Sequence, residues 1–487
     1  MSGTGEGVLG RAISGGRWAV FGLGVQKAVG FVSFFILARL LAPEDYGVIT
    51  VVLMLVGVLE TLSSPGFERA LTQRKGEIGI YLDVFWTFNF FRALGTAGVI
   101  FLLAPWAASF FEIRDSSALL VLRLSGFLVL ISALGNLGSL FFFKELEFKN
   151  LFWRDLAGQI AFSAAAISWA FFHPSVFALF FGYAARNAAA VFIQYFLHPH
   201  RPRFSFYFSR LRDLASFGFW AMGQNVLNQA NSIVETAVIG RFLGVRDLGF
   251  YSRANNLAAL PSSAIFSVIY KVGFPAYAKI QESREKITEG FLKSWELALL
   301  TLLPFAALIF FEAGELVRIL LGEKWLGMVG AMKILALAVT FEGFLHLVWP
   351  VSEGVGRPDV RFKFGALQII MALPLLIFLS LHYGLLGAAW AMLIAFLATA
   401  LPAGFWVFSY LKLGVRRVLK PAGAVMGATA ASALAGAVLK FWLAPLSLPT
   451  LILWLFLIGL AYLLALKFFS RFWGGGPYET LRLIFKF

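Results

Sequence analysis

Residues 38–47 read A-R-L-L-A-P-E-D-Y-G, and residues 240–249 read G-R-F-L-G-V-R-D-L-G. Arg39 aligns with Arg241, Leu41 with Leu243, Asp45 with Asp247 and Gly47 with Gly249, all at one offset. Each copy ends one long apolar run, makes a polar turn and opens the next. In a membrane chain, such a turn recurring roughly 200 residues on points to two equivalent lobes. Two weaker echoes follow at similar spacing. Glu147-Phe148-Lys149 resembles Arg361-Phe362-Lys363, and His173-Pro174-Ser175 sits where His382-Tyr383-Gly384 sits later. Within the turn, the arginine and the aspartate six residues on read as a stabilising ion pair. The glycine reads as a point of close packing where the next helix starts.

The apolar runs flanking these turns fill most of the chain. Of its 487 residues, 60% are hydrophobic and 14% charged; soluble domains run at about 45–50% and about 25%. The chain therefore reads as a polytopic membrane protein. It holds no cysteine, which excludes disulfides, thiolate metal sites and a cysteine nucleophile. The formal net charge of +15 would suggest nucleic acid in a soluble protein. Here it is better explained by basic cytoplasmic loops, and no nucleic-acid partner is expected. The first apolar run, Trp18 to Leu37, is too long for a signal peptide and reads as a retained helix.

Runs of about 20 apolar residues can each span about 30 Å of hydrocarbon as a helix. Fourteen are expected, at 17–38, 46–64, 84–106, 118–143, 153–172, 175–197, 214–240, 248–272, 291–311, 326–350, 364–382, 385–411, 421–442 and 447–469. Of 41 lysines and arginines, 28 then fall in one set of alternate segments and 7 in the other. By the positive-inside rule the first set is cytoplasmic, which places both termini inside a cell (inner or plasma) membrane. The fold class is all-α, with two six-helix bundles and two further helices. The expected division is 1–210, 211–417 and 418–487. The stretch 198–213, H-P-H-R-P-R-F-S-F-Y-F-S-R-L-R-D, joins the halves. Basic and aromatic, it reads as a linker lying on the anionic inner leaflet.

No catalytic constellation or nucleotide-binding motif is present in the sequence, so no enzyme activity, metal or cofactor is expected. What remains are polar groups at bilayer depth. Each costs roughly 2.5–3.5 kcal/mol at a helix centre, and so should face a protected or wet interior. The cations are Lys27, Arg92, Arg186, Arg253 and Lys333, with Arg123 near a helix end where it can snorkel. A cationic interior suits an anionic ligand, and arginine suits phosphate through its fork of donors. Lys333 could instead pair with Glu342. The seventh span carries Gln224, Asn228, Asn231 and Glu235 at helical spacing, widened by Asn225, Gln229 and Ser232. That stripe cannot face lipid. It reads as interhelical hydrogen bonding or as the wall of a wet cavity, where amides match sugar hydroxyls. Asn89 and Asn255 extend the polar set. Glu60, Glu235 and Glu342 are candidates for coupling H⁺ or Na⁺, or for ion pairing.

L-A-R-L-L-A-P-E-D-Y-G-V at 37–48, F-K-E-L-E-F-K-N at 143–150 and G-R-F-L-G-V-R-D-L-G-F-Y-S-R-A-N-N-L-A-A-L-P at 240–261 resemble the Wzx-type lipopolysaccharide and exopolysaccharide flippases. These belong to the polysaccharide transporter family of the multidrug/oligosaccharidyl-lipid/polysaccharide exporter superfamily. The resemblance covers about residues 10 to 410. It implies two six-helix bundles related by a pseudo-two-fold axis along the membrane normal, and alternating access around a cationic cavity. It implies an oligosaccharide on polyprenyl pyrophosphate as substrate, moved from inner to outer leaflet. Membrane lipids, an H⁺ or Na⁺ gradient and polysaccharide polymerase or assembly enzymes would be its other partners. A drug or cation antiporter of the same superfamily and a peptidoglycan-precursor flippase are the alternatives.

Overall fold

A computed structural model describes residues 22, 24–63, 79–139, 141–142, 147–207, 229–442, 447–473 and 477–479. Among them no strand occurs. We number the helices α1 (24–40), α2 (Pro43–Ser63), α3 (Gly79–Phe110), α4 (Ser116–Leu124), α5 (Gly126–Ala133), α6 (Phe148–Phe172), α7 (Val176–Leu197) and α8 (229–242). After these come α9 (Gly244–Ala258), α10 (Leu260–Lys279), α11 (Arg284–Leu320), α12 (Val329–Gly354), α13 (Pro358–Leu411), α14 (Val415–Trp442) and α15 (Leu448–Trp473). Ten stretches among the described residues are long and apolar enough to cross a membrane. The chain is an all-helical, multi-pass membrane protein.

Helical breaks occur where local chemistry competes with the apolar run. The run 118–143 was expected to be one span. Ser116–Ala133 does make one candidate span, but the helix pinches at Ser125, whose hydroxyl and N–H both donate to the Leu122 carbonyl, at 2.8 and 3.3 Å. Regular α-helix stops at Ala133. The run 248–272 likewise divides at Ala259, ahead of Pro261, which cannot donate an N–H to the preceding turn. The 54-residue α13 bends at Gly384, where φ is 59° and ψ −140°. Only glycine adopts that conformation without strain. The bend falls between the runs 364–382 and 385–411.

The chain clusters into two compact units, Met1–Gly249 and Phe250–Phe487, divided within α9. Lipid tails are as apolar as leucine, so close packing at small residues holds such units together. In the first unit, Gly126 lies against Ala97 of α3, and Gly182 against Ala166 and Phe162 of α6. Leu55, Val56, Ala93, Ile100, Val129 and Ala133 join α2, α3 and α5. The two copies of the repeated turn also meet within this unit. A β-carbon on Gly47 would overlap the Val245 carbonyl oxygen, and one on Gly249 would overlap that of Pro43. Val245 and Pro43 are themselves equivalent positions of the repeat. So are Glu44 and Arg246, which form an ion pair at 3.2 Å. The N-terminal turns of α2 and α9 thus cross as a self-complementary pair. Asp45 accepts the Ala42 N–H at 2.9 Å. Arg241 does not pair with Asp247. Its guanidinium is taken by Glu112 at 3.0 Å and the Phe110 carbonyl at 2.9 Å.

In the second unit, α14 and α15 pack on α11 through Leu299, Leu300, Val425, Ala428, Tyr462 and Leu466. Tyr462 donates to the Leu300 carbonyl at 3.2 Å, and Trp295 to that of Val418 at 3.2 Å. Lys440 of α14 lies 3.2 Å from Glu312 and 3.6 Å from Glu315 of α11.

Candidate functional site

One polar cluster of the first unit is built on α2 and α3. Asn89, Arg92 and Thr96 lie at spacings of three and four, on one face of α3. Arg92 donates from Nε and Nη2 to Asn89 Oδ1, at 3.0 and 2.7 Å. Its Nη1 donates to Ser63 Oγ of α2 at 2.7 Å. The Thr96 hydroxyl lies 3.3 Å from the same Ser63 oxygen and donates to the Arg92 carbonyl at 2.9 Å. Three N–H groups of the guanidinium are thereby committed, and its plane is fixed by two helices.

Alongside, Gln229 of α8 donates to Thr61 of α2 at 2.8 Å. Gly57 permits that approach, because its missing β-carbon would sit 3.2 Å from the Gln229 amide oxygen. Asn231 lies two residues on in α8, and its Oδ1 is buried with no hydrogen-bond partner among the described residues. Glu60 and Glu235 are both half-buried. The structure therefore brings Asn89 and Arg92 together, with Ser63 and Thr96, and sets Gln229 against α2. Lys27 is exposed on α1, and Arg186 is exposed on α7. Gln224, Asn225 and Asn228 lie outside the described residues.

In the second unit, Arg253 and Asn255 are half-buried on α9. Lys333 rests over the Phe310 ring, 6.0 Å from its centroid, and makes no ion pair with Glu342. Glu342 Oε1 lies instead 3.9 Å from His346 Nε2, and His346 stacks on Phe266 at 5.4 Å. A tighter cluster ties α10, α12 and α13. Glu353 accepts from Tyr270 at 2.5 Å and from Arg361 at 2.7 Å.

Sequence reading singled out Arg92 as a deep cation and missed Ser63 and Thr96. Thr96 was findable, since it stands four residues after Arg92 as Asn89 stands three before. Ser63 was not, because its role depends on how α2 meets α3. Among the described residues, no group of three or more histidines or carboxylates could hold a metal ion.

Three comparisons bear on this arrangement. The lipopolysaccharide biosynthesis protein WzxC of Escherichia coli is 24% identical over 388 residues, covering 79% of this chain and 78% of that one. The succinoglycan biosynthesis transport protein ExoT of Rhizobium meliloti is 26% identical over 362 residues, covering 72% and 71%. Among solved structures, the lipid II flippase MurJ in an inward closed conformation has the same fold. Its TM-score is 0.71 at 14% sequence identity, covering 93% of this chain and 98% of that one. A family model described as polysaccharide biosynthesis protein matches residues 36–330, more than half of the chain, so this protein belongs to the polysaccharide biosynthesis protein family.

Proposed function

We propose that the protein is a flippase. It carries an oligosaccharide on polyprenyl pyrophosphate from the inner to the outer leaflet by alternating access, in surface-polysaccharide biosynthesis. The observation that carries this reading is Arg92. It is a guanidinium within a membrane-crossing helix, oriented by Asn89 and Ser63 in a member of a polysaccharide biosynthesis family. A charge at that depth is costly unless it serves a polar ligand. A fixed fork of donors suits a pyrophosphate oxygen better than it suits a sugar or an organic cation.

The other cations, Lys27, Arg186, Arg253 and Lys333, complete the charge that offsets the pyrophosphate. The polar wall of Asn89, Gln224, Asn225, Asn228, Asn231 and Asn255 meets the glycan hydroxyls. Glu60, Glu235 and Glu342 are the sites where an H⁺ or Na⁺ gradient couples to transport. The relatives named for transport and biosynthesis support a carrier rather than an enzyme. The positive-inside bias supports an inner or plasma membrane location, cytoplasmic termini and fourteen spans. The turn repeated at 38–47 and 240–249 supports lobes at 1–210 and 211–417 with an appended 418–487. Polymerase and assembly enzymes act on the product once it faces outward.

The test is purified protein in liposomes with a short polyprenyl-pyrophosphate oligosaccharide, its glycan read on the far leaflet by a lectin. Protein-dependent appearance is expected, with no movement of a cationic dye. Dye transport without glycan movement would replace this reading with the drug-antiporter alternative.

A further inference from the structure

Residues 198–207, H-P-H-R-P-R-F-S-F-Y, were expected to be part of a linker lying on the anionic inner leaflet. They form no regular element, yet they are fastened along α3. The Arg203 N–H donates to Asp83 Oδ1 at 3.1 Å, and the Ser205 N–H to Thr87 Oγ1 at 2.8 Å. Asp83 and Thr87 are one turn apart on α3, so they match the advance of an extended strand. Behind the strand, Asn136 donates to the carbonyls of His198 and His200, at 3.3 and 2.7 Å. His198 stacks on Phe141 at 5.4 Å, and His200 Nε2 lies 3.2 Å from Asp83. With these backbone groups satisfied, the strap can lie where water is scarce.

What it presents outward is aromatic and cationic. Phe204 packs on Trp86 and Phe90, and Phe91, Phe206 and Tyr207 are exposed beside it. Arg201 and Arg203 are exposed. Arg201 spends one nitrogen on backbone carbonyls. The Arg203 guanidinium has no hydrogen-bond or ion-pair partner among the described residues. The carboxylate of Asp83, beside the strap, is already turned to His200 and the Arg203 N–H.

We infer that this strap is a docking surface for anionic phospholipid headgroups, with Arg203 the principal contact, Arg201 its support and the aromatic rings seated among the acyl-chain ends. Charge complementarity and exposed interfacial aromatics fit that occupant. The helical register separates it from the Arg92 cluster. At 3.6 residues per turn, Asp83, Thr87 and Phe91 lie about half a turn from Asn89, Arg92 and Thr96. A lipid on the strap is therefore a bystander of the bilayer and not the transported one. The surface stands apart from the proposed transport activity.

The chain lacks cysteine, so a Tyr207→Cys variant can carry a single fluorophore into liposomes. Quenching by brominated phosphatidylglycerol is compared with quenching by brominated phosphatidylcholine at equal mole fraction. Phosphatidylglycerol should quench more efficiently, by about fivefold for each engaged arginine. Arg203→Gln should lose about that factor, and Arg203→Lys should keep most of it. Inorganic phosphate should not relieve the quenching. Equal quenching by the two lipids in the Tyr207→Cys protein would overturn the proposal without any charge variant. So would an undiminished preference in Arg201→Gln/Arg203→Gln. Displacement by phosphate would reassign the surface to a free anion and overturn the lipid assignment.

Discussion

An arginine inside a membrane helix is a liability until something holds it, and here two of the holders are named. Asn89 and Ser63 fix the plane of the Arg92 guanidinium. The account predicts that Asn89→Leu, which leaves the charge and removes its orientation, lowers the glycan translocation rate by roughly tenfold, the cost of about one charge-assisted hydrogen bond. Insertion and thermal stability should change little, because the contact to Asn89 lies within α3 and the one that joins α3 to α2 through Ser63 remains. Lys440 poses the opposite case. Glu312 is 6% exposed and depends on it. Lys440→Met should destabilise the second unit by about 3–5 kcal/mol by stranding a buried carboxylate. Adding Glu312→Gln should recover most of that loss. Thermal unfolding in detergent reads both, and an additive double variant would refute the pairing.

Among the helices, the crossing of α2 and α9 is a close backbone approach, and it rests on glycine in both copies of the repeat. Gly47→Ala and Gly249→Ala should each destabilise the protein by about 1–3 kcal/mol through overpacking. Since both sit in one reciprocal contact, the double variant should cost clearly less than the sum, as neighbours in contact fail to add. Strict additivity in thermal unfolding would mean that the two glycines do not share that contact. The sequence made this crossing partly legible. The repeated turn and the glycine at its end could be read, but that each glycine would meet the other copy's backbone could not. That pairing exists only once α2 and α9 are brought together. Where side chains act within their own helix, reading was easier, as with Asn89 and Arg92. Where a break arises from a serine inside an unbroken apolar run, as at Ser125 in 118–143, hydropathy carries no signal.

Across the whole chain, composition alone determined the all-helical membrane class, because 60% hydrophobic residues leave little other choice. The strap at 198–207 was recognisable as basic and aromatic, while its docking depends on Asp83 and Thr87 a hundred residues earlier. The proposed orientation rests on the bias of charges, and the absence of cysteine makes it testable. Asp115→Cys should react with a membrane-impermeant maleimide in intact cells, and Glu285→Cys only after permeabilisation. The reverse pattern would invert the topology.

The most direct test of the central claim is the initial rate of leaflet translocation of a polyprenyl-pyrophosphate oligosaccharide by the parent protein, Arg92→Lys and Arg92→Ala, at equal reconstituted amounts. If an oriented guanidinium engages the pyrophosphate, Arg92→Ala should lose at least about tenfold, in keeping with about 1.5–3 kcal/mol for a hydrogen bond to a charged group. Arg92→Lys should fall between, keeping the charge without the fork. Parent-like rates from Arg92→Ala would contradict the account.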